Sequence, residues 1–262
     1  MELLVGSFLT KIEVFIFILI RISSLFVISP LFGRRSLPTI FKIGFSLMVA
    51  VILVNVVSVP AAVNLSGMYE FTIVALREFM IGVILGYVSF LIFSAIYLAG
   101  QLIDTQIGFG IVSVIDPVSN IQVPITANFY YTLAMVIFLT INGHHMLIEA
   151  LVNSYNLLPI GTAVLNNNMI PQLIKLMGYM FVIGFKISAP VIAAILVCDV
   201  ALGILSRTMP QMNIFMVGLP LKIILGLVVM MITIPAFIMI LGFMIDTINE
   251  QTMTVMKEMV PK

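Results

Sequence analysis

The chain reads as a series of long apolar runs separated by short breaks. The first run extends from about Ile12 to Phe32, the second from Ile40 to Val59, where Pro60 stops it, and the third from near Phe71 to Ile103. A fourth covers Ile125 to Ile141, and a shorter helix from His144 to about Asn153 follows the Asn142-Gly143 break. Pro171 opens a helix that reaches about Ser206, with Pro190 as the expected bend. A further break, Met209 to Leu219, precedes a last run from Leu221 to Ile245 that carries Pro235. The tail from Asp246 is polar, but it keeps Ile248, Val255, Met256 and Met259 on one helical face. A helix that spans a bilayer needs about 20 apolar residues, and the third run exceeds that by a wide margin. The runs are too long and too continuous for alternating barrel strands. The expected fold is all-α: a membrane-associated bundle of long, partly broken helices and helical hairpins.

Composition agrees with this pattern. Of 262 residues, 62% are hydrophobic and 9% charged, too few polar groups to cover a soluble fold. The net charge of +1 gives no basic face for nucleic acid. Glu13 and Arg21 interrupt the first run and no small-residue cleavage site follows it, so it is not expected to be a removable signal. A single cysteine, Cys198, excludes an internal disulfide and a cysteine-based metal cluster. Arg34, Arg35 and Lys42 form the strongest basic cluster, which the positive-inside rule would place in the cytoplasm.

One connector stands apart. Asp104 to Pro124 reads Asp-Thr-Gln-Ile-Gly-Phe-Gly-Ile-Val-Ser-Val-Ile-Asp-Pro-Val-Ser-Asn-Ile-Gln-Val-Pro. It is too long for a tight turn and too apolar for a solvated linker. Gly108 and Gly110 permit backbone conformations that other residues avoid. Pro117 and Pro124 prevent simple continuation of a helix, and Asp116 before Pro117 favours a turn. Irregular backbone at membrane depth must be buried in protein or line a cavity. Phe109, Ile111, Val114 and Ile115 would supply the apolar contacts. A plug or gate fits these residues, and so does a re-entrant packing loop.

Arg21, Arg77, Glu78, Lys186, Asp199, Arg207 and Lys222 lie in or at the ends of apolar helices. Each should face a partner or water. They could line an ion or substrate path, but acids and bases are nearly balanced and no helix carries a stripe of one sign, which favours pairing within or between subunits. Gly82 and Gly86 form a GxxxG pattern that would let another helix approach closely. His145 and Glu149 share a helix face beside His144, but the order is not HExxH and no further ligand is evident, so capping and hydrogen bonding are favoured over a metal. Methionine is abundant, with 13 of 19 between Met169 and Lys262; ordinary core filling is favoured over a seal around variable polypeptide. GxSxG, GxGD and GxxxxGK[ST] patterns are missing, and no cofactor is expected.

Gly108-Phe109-Gly110, Asp116-Pro117, Gln122-Val123-Pro124, Phe138-Leu139 and Asn142-Gly143-His144-His145 together resemble the FliR family. The counterpart of that family in virulence-associated type III secretion is SctT, and the Asn-Gly-His-His signature looks flagellar. Arg34-Arg35-Ser36-Leu37-Pro38, Arg77-Glu78 followed by Gly82, and Ser154-Tyr155 with Pro159 and Gly161 extend the resemblance over nearly the whole chain. It implies a non-catalytic subunit of the flagellar type III protein export gate in the bacterial inner membrane, at the basal body. FliP-like and FliQ-like subunits would be its partners, with FlhB and FlhA nearby, membrane lipid around it and unfolded export substrates in transit. It also implies one domain with a FliP-like portion over about 1–165 and a FliQ-like portion over about 166–262. Pro190, Gln211-Met212-Asn213 and Pro220-Leu221-Lys222 echo the two-helix pattern of FliQ.

In that family the loop matching Asp104–Pro124 helps plug the channel, which turns the open choice toward gating. The gate residues would then be Gly108, Phe109, Gly110, Ile111, Val114, Ile115, Asp116, Pro117, Gln122 and Pro124. Arg77, Glu78, Lys186, Asp199, Arg207 and Lys222 become candidate intersubunit or buried charge pairs, and apolar runs can bury against partner subunits as well as lipid. A secondary transporter or channel for a small solute is the alternative; it lacks paired discontinuous helices in two matching halves. An intramembrane hydrolase has no nucleophile constellation behind it.

Overall fold

The computed structural model describes residues 2–33, 37–57, 67–110, 124–164, 166, 169–211 and 213–260. Within these, the chain forms seven helices: α1 (Glu2–Ile28), α2 (Thr39–Leu53), α3 (Met68–Ile107), α4 (Ile125–Thr140), α5 (Gly143–Leu157), α6 (Met169–Thr208) and α7 (Ile214–Lys257). No strand occurs among the described residues. The protein is an all-α membrane helical protein.

Three helices, α3, α6 and α7, are long and apolar enough to cross a membrane, and α4 with α5 forms a pair bent by 68°. At about 1.5 Å per residue, the 40 residues of α3 span about 60 Å, roughly twice the hydrocarbon core of a bilayer. The long helices therefore extend past any single crossing.

The boundaries differ from expectation in several places. α1 begins at Glu2, ten residues before Ile12, and ends at Ile28 instead of Phe32. α2 ends at Leu53 instead of continuing to Val59; Val54, Asn55, Val56 and Val57 follow, three β-branched valines and an asparagine, all of low helix propensity. α3 takes Asp104 to Ile107 from the expected loop as its last turn. α5 runs to Leu157. α7 begins at Ile214, seven residues before Leu221, and is continuous through Pro220 and Pro235 to Lys257. A membrane-type helix tolerates such prolines where neighbouring groups satisfy the freed carbonyls. The expected amphipathic tail is present as the end of α7 and the turn after it: Ile248, Val255, Met256 and Met259 are all buried.

Two compact units emerge. The first comprises Met1–Leu91, Ile141–Leu176 and Asp246–Lys262; the second comprises Ile92–Thr140 and Met177–Ile245. In the first, α1 packs on the GxxxG face of α3. A methyl group at Gly82 would lie 1.9 Å from Ser24 Oγ and 2.2 Å from the Arg21 carbonyl oxygen; one at Gly86 would lie 2.9 Å from the Leu25 carbonyl oxygen. The glycines thus bring two backbones together inside one chain. Phe26, Phe32 and Phe45 cluster with ring centroids 4.3–5.5 Å apart and join α1 to α2.

In the second unit, Gly184 of α6 lies against the Ala95 carbonyl and Leu98 of α3. Tyr130 of α4 meets Phe237 of α7 at 4.7 Å. Only 17% of the apolar stretch of α7 is buried within the chain, against 67% for α3. Met231, Ile232 and Met239 project from α7, and Val197 and Val200 from α6, each at least 65% exposed.

Candidate functional site

The loop singled out by sequence has its two feet fixed by one residue. Asp104 sits one turn before the end of α3 and is buried. Its main-chain carbonyl accepts hydrogen bonds from Gly108 N–H at 3.1 Å and Phe109 N–H at 3.0 Å, which close the helix. Gly108 adopts φ 97°, a conformation that glycine reaches without steric cost. The carboxylate of Asp104 points to the start of α4. Oδ1 accepts from Thr126 N–H at 2.9 Å and Oδ2 from Ala127 N–H at 3.3 Å.

That arrangement has a local cause. α4 is preceded by Pro124, which offers no side-chain oxygen to its own helix. The first N–H groups of a helix need acceptors, and a carboxylate there also meets the positive end of the helix dipole. Asp104 supplies both from 22 positions upstream. Close approach is enabled by Gly100, one turn earlier on α3: a methyl group there would lie 2.2 Å from Ala127 Cα. Ile107, fully buried, fills the space left by Gly226 of α7, where a methyl group would come within 2.5 Å of its Cδ1. The chain therefore leaves α3 at Gly108 and re-enters α4 after Pro124 from a rigid base. Of the predicted gate residues, Gly108 and Phe109 are half-buried, Gly110 is exposed and Pro124 is half-buried. Ile111, Val114, Ile115, Asp116, Pro117 and Gln122 lie outside the described residues.

The charged candidates separate into two sets. Glu78 pairs with Arg21: Arg21 Nε donates to Glu78 Oε2 at 2.6 Å, and neither side chain is exposed. Arg21 also donates from Nη1 to Ser154 Oγ at 2.9 Å and from Nη2 to the Leu158 carbonyl at 3.1 Å, and its guanidinium lies 4.0 Å from the centre of the Tyr155 ring. Glu78 Oε1 accepts from Gly161 N–H at 3.1 Å, while Arg77 Nη1 donates to the Gly161 carbonyl at 2.8 Å. Arg77 and Glu78 thus hold both faces of one residue, whose φ is 80°. The neighbouring loop reaches the end of the chain, since Val164 N–H donates to the Met259 carbonyl at 3.1 Å.

Asp199 of α6 and Lys222 of α7 pair with each other, both partly exposed. Lys186 and Arg207 are exposed on α6, without an ion-pair partner among the described residues. His144 and His145 touch at 4.2 Å between ring centroids beside Asn142, whose left-handed φ of 59° turns α4 into α5. Among the described residues no group of three His, Cys, Asp or Glu side chains converges as a metal site.

Sequence reasoning placed Ser154, Tyr155 and Gly161 in the pattern without connecting the first two to Arg21 or Gly161 to Arg77 and Glu78, and it singled out Asp104 only as the start of a loop. The signals were present: an aspartate one turn before a Gly-x-Gly and a helix opening without its own cap, and an arginine inside an apolar run with an acid one turn before GxxxG.

A model of bacterial export proteins, family 1, matches residues 12–248. The chain is 36% identical over 230 residues to the flagellar biosynthetic protein FliR of Bacillus subtilis, covering 87% of this chain and 88% of that one. It is 32% identical to FliR of Escherichia coli, with 87% of each covered, and 30% identical to FliR of Aquifex aeolicus, with 82% and 83% covered.

Proposed function

This chain belongs to the FliR family of bacterial export proteins and is a component of the flagellar export apparatus, and we propose that it acts there as a non-catalytic subunit that helps form and plug the export channel. FliP-like and FliQ-like subunits are its partners in this reading, with FlhA and FlhB nearby and unfolded flagellar proteins passing through. Its place is the inner membrane at the flagellar base. Residues from about 1 to 165 serve as the FliP-like portion and the rest as the FliQ-like portion.

The observation that carries the plug reading is the base beneath Gly108 and Pro124. Both ends of an apolar, glycine-hinged segment are tied to Asp104, the outgoing end through its main-chain carbonyl and the returning end through its buried carboxylate. A segment that must resist a pressure or an electrical gradient needs such rigid feet, since a loop on frayed helix ends would be displaced. The assembly reading rests on the apolar faces of α6 and α7, which the chain leaves uncovered. Monomers rarely expose apolar surface on that scale, and such a face fits partner helices or lipid. Lys186 and Arg207 are exposed charges on α6 that partner subunits can meet.

Deletion of Gly110–Gln122 tests the plug. The expected result is normal assembly with the FliP- and FliQ-like subunits together with increased ion leak across the membrane. Normal assembly with unchanged leak would remove the plug, and a stable functional monomer would remove the gate-subunit reading.

A further inference from the structure

We propose that Lys186 is the charged anchor of an interface on α6: it pairs with one carboxylate carried in the apolar run of a helix from another subunit of the export apparatus. This deepens the assembly reading above, on which it rests, by naming the residue and the chemistry of its partner, and it is independent of the plug. Lys186 is exposed, and its stripe on α6 holds Tyr179, Val182, Pro190, Ala193, Val197 and Val200, all exposed as well. Steps of three or four residues keep them on one face. From Leu176 to Cys198 the helix carries no other charge, over a length of about 35 Å. α7 runs back beside α6, with Gly218 facing Leu202, Lys222 paired with Asp199 and Gly226 facing Ile195. It has no charge from Ile223 to Ile245.

Among the described residues the lysine finds no counter-charge. Its compact unit, Ile92–Thr140 with Met177–Ile245, holds two described acids. Asp104 caps α4, and Asp199 pairs with Lys222. Lipid does not solve the problem. Lys186 stands near the middle of the charge-free length, about 15–18 Å from either end, further than its stem reaches toward a headgroup layer. A lone ammonium in hydrocarbon is costly, and ionisable groups in membrane helices pair with one another. An acid on a neighbouring helix removes that cost, and the apolar side chains on both sides of Lys186 fit an apolar helix.

Charge variants test the pair in membranes carrying the whole export apparatus. Lys186→Met leaves the partner carboxylate buried and alone, so the chain should co-purify with the other subunits about tenfold less, or worse. Lys186→Arg should keep native assembly. The purified chain should have the same thermal midpoint with Met as with Lys, because the side chain is exposed there. A fall in that midpoint would assign the lysine to the chain's own fold and overturn the pair. Lys186→Glu should block export, and selection for restored export should return an acid-to-lysine change in an apolar helix of another subunit.

An independent measurement leaves Lys186 in place. Val182→Cys and Ala193→Cys, in a Cys198→Ala background, should resist a water-soluble maleimide in the assembled apparatus and react once SDS takes it apart. Ready labelling of the assembled form would set the stripe against water and overturn the pair. Native assembly of Lys186→Met overturns it too, and so do suppressors confined to this chain. In each of these cases, co-purification of the unaltered chain with other export subunits keeps the gate-subunit reading. If the unaltered chain does not co-purify with them, that reading fails and takes the inference with it.

Discussion

The Arg21 guanidinium and the Glu78 carboxylate meet at 2.6 Å with neither side chain exposed, joining two helices across 57 positions of sequence. Removing one partner leaves an uncompensated buried charge, at a cost of about 3–5 kcal/mol. Glu78→Ala should lower the thermal midpoint of the purified complex by an amount consistent with that loss. The apolar double replacement Arg21→Met with Glu78→Leu should recover only part of it, because the Leu158 carbonyl and Gly161 N–H lose their partners as well. Full recovery would show that the pair is an isolated ion pair rather than the centre of a network.

Gly82→Ala forces a methyl group into the Arg21 carbonyl and Ser24 Oγ, so α1 has to move. Overpacking of this kind costs about 1–3 kcal/mol. The movement also shifts Arg21 relative to Glu78, so Gly82→Ala and Glu78→Ala should be non-additive in a double-mutant cycle. Gly178 and Gly242 meet nothing within 4 Å, and their replacement by alanine should leave chain stability unchanged or raise it by up to about 1 kcal/mol.

Gly161 has φ 80° between the grips of Arg77 and Glu78. Alanine there carries the left-handed penalty of about 1–2 kcal/mol. Because the same loop holds the Met259 carbonyl through Val164, Gly161→Ala should also speed proteolysis near the end of α7. A thermal shift without altered cleavage would mean that the last turn is held independently of this loop.

Asp199 and Lys222 are partly exposed, and an exposed pair contributes about 0–1 kcal/mol. Neutralising either residue should leave the thermal midpoint nearly unchanged. Exchanging the two charges should restore any secretion defect that a single reversal produces. Failure of the exchange to rescue would assign one of them to a partner subunit.

Helices were legible because their signal is local: long apolar runs at a helical period, and Gly or Pro between them. The clearest misplacements came at Pro220, where a proline expected to interrupt lies inside α7, and at Asp104, where a polar residue ascribed to a loop lies in the last turn of α3. Both depend on neighbours distant in sequence. The GxxxG face was visible at Gly82 and Gly86, but its occupant was not, because α1 lies more than 50 positions away. Arg77 and Glu78 were recognised as charges needing partners. Which partners they take depends on Gly161, a residue whose role appears only when its loop folds back onto α3.

The uncovered side of α7 has a consequence for the life of the protein in the cell. With 17% of its apolar stretch buried, an orphan copy in water would resemble a misfolded chain to chaperones and proteases. Its abundance is then governed by how quickly that side is covered after synthesis. Cells that make this chain in excess of its assembly should degrade the surplus, which keeps its number matched to the number of export machines under construction.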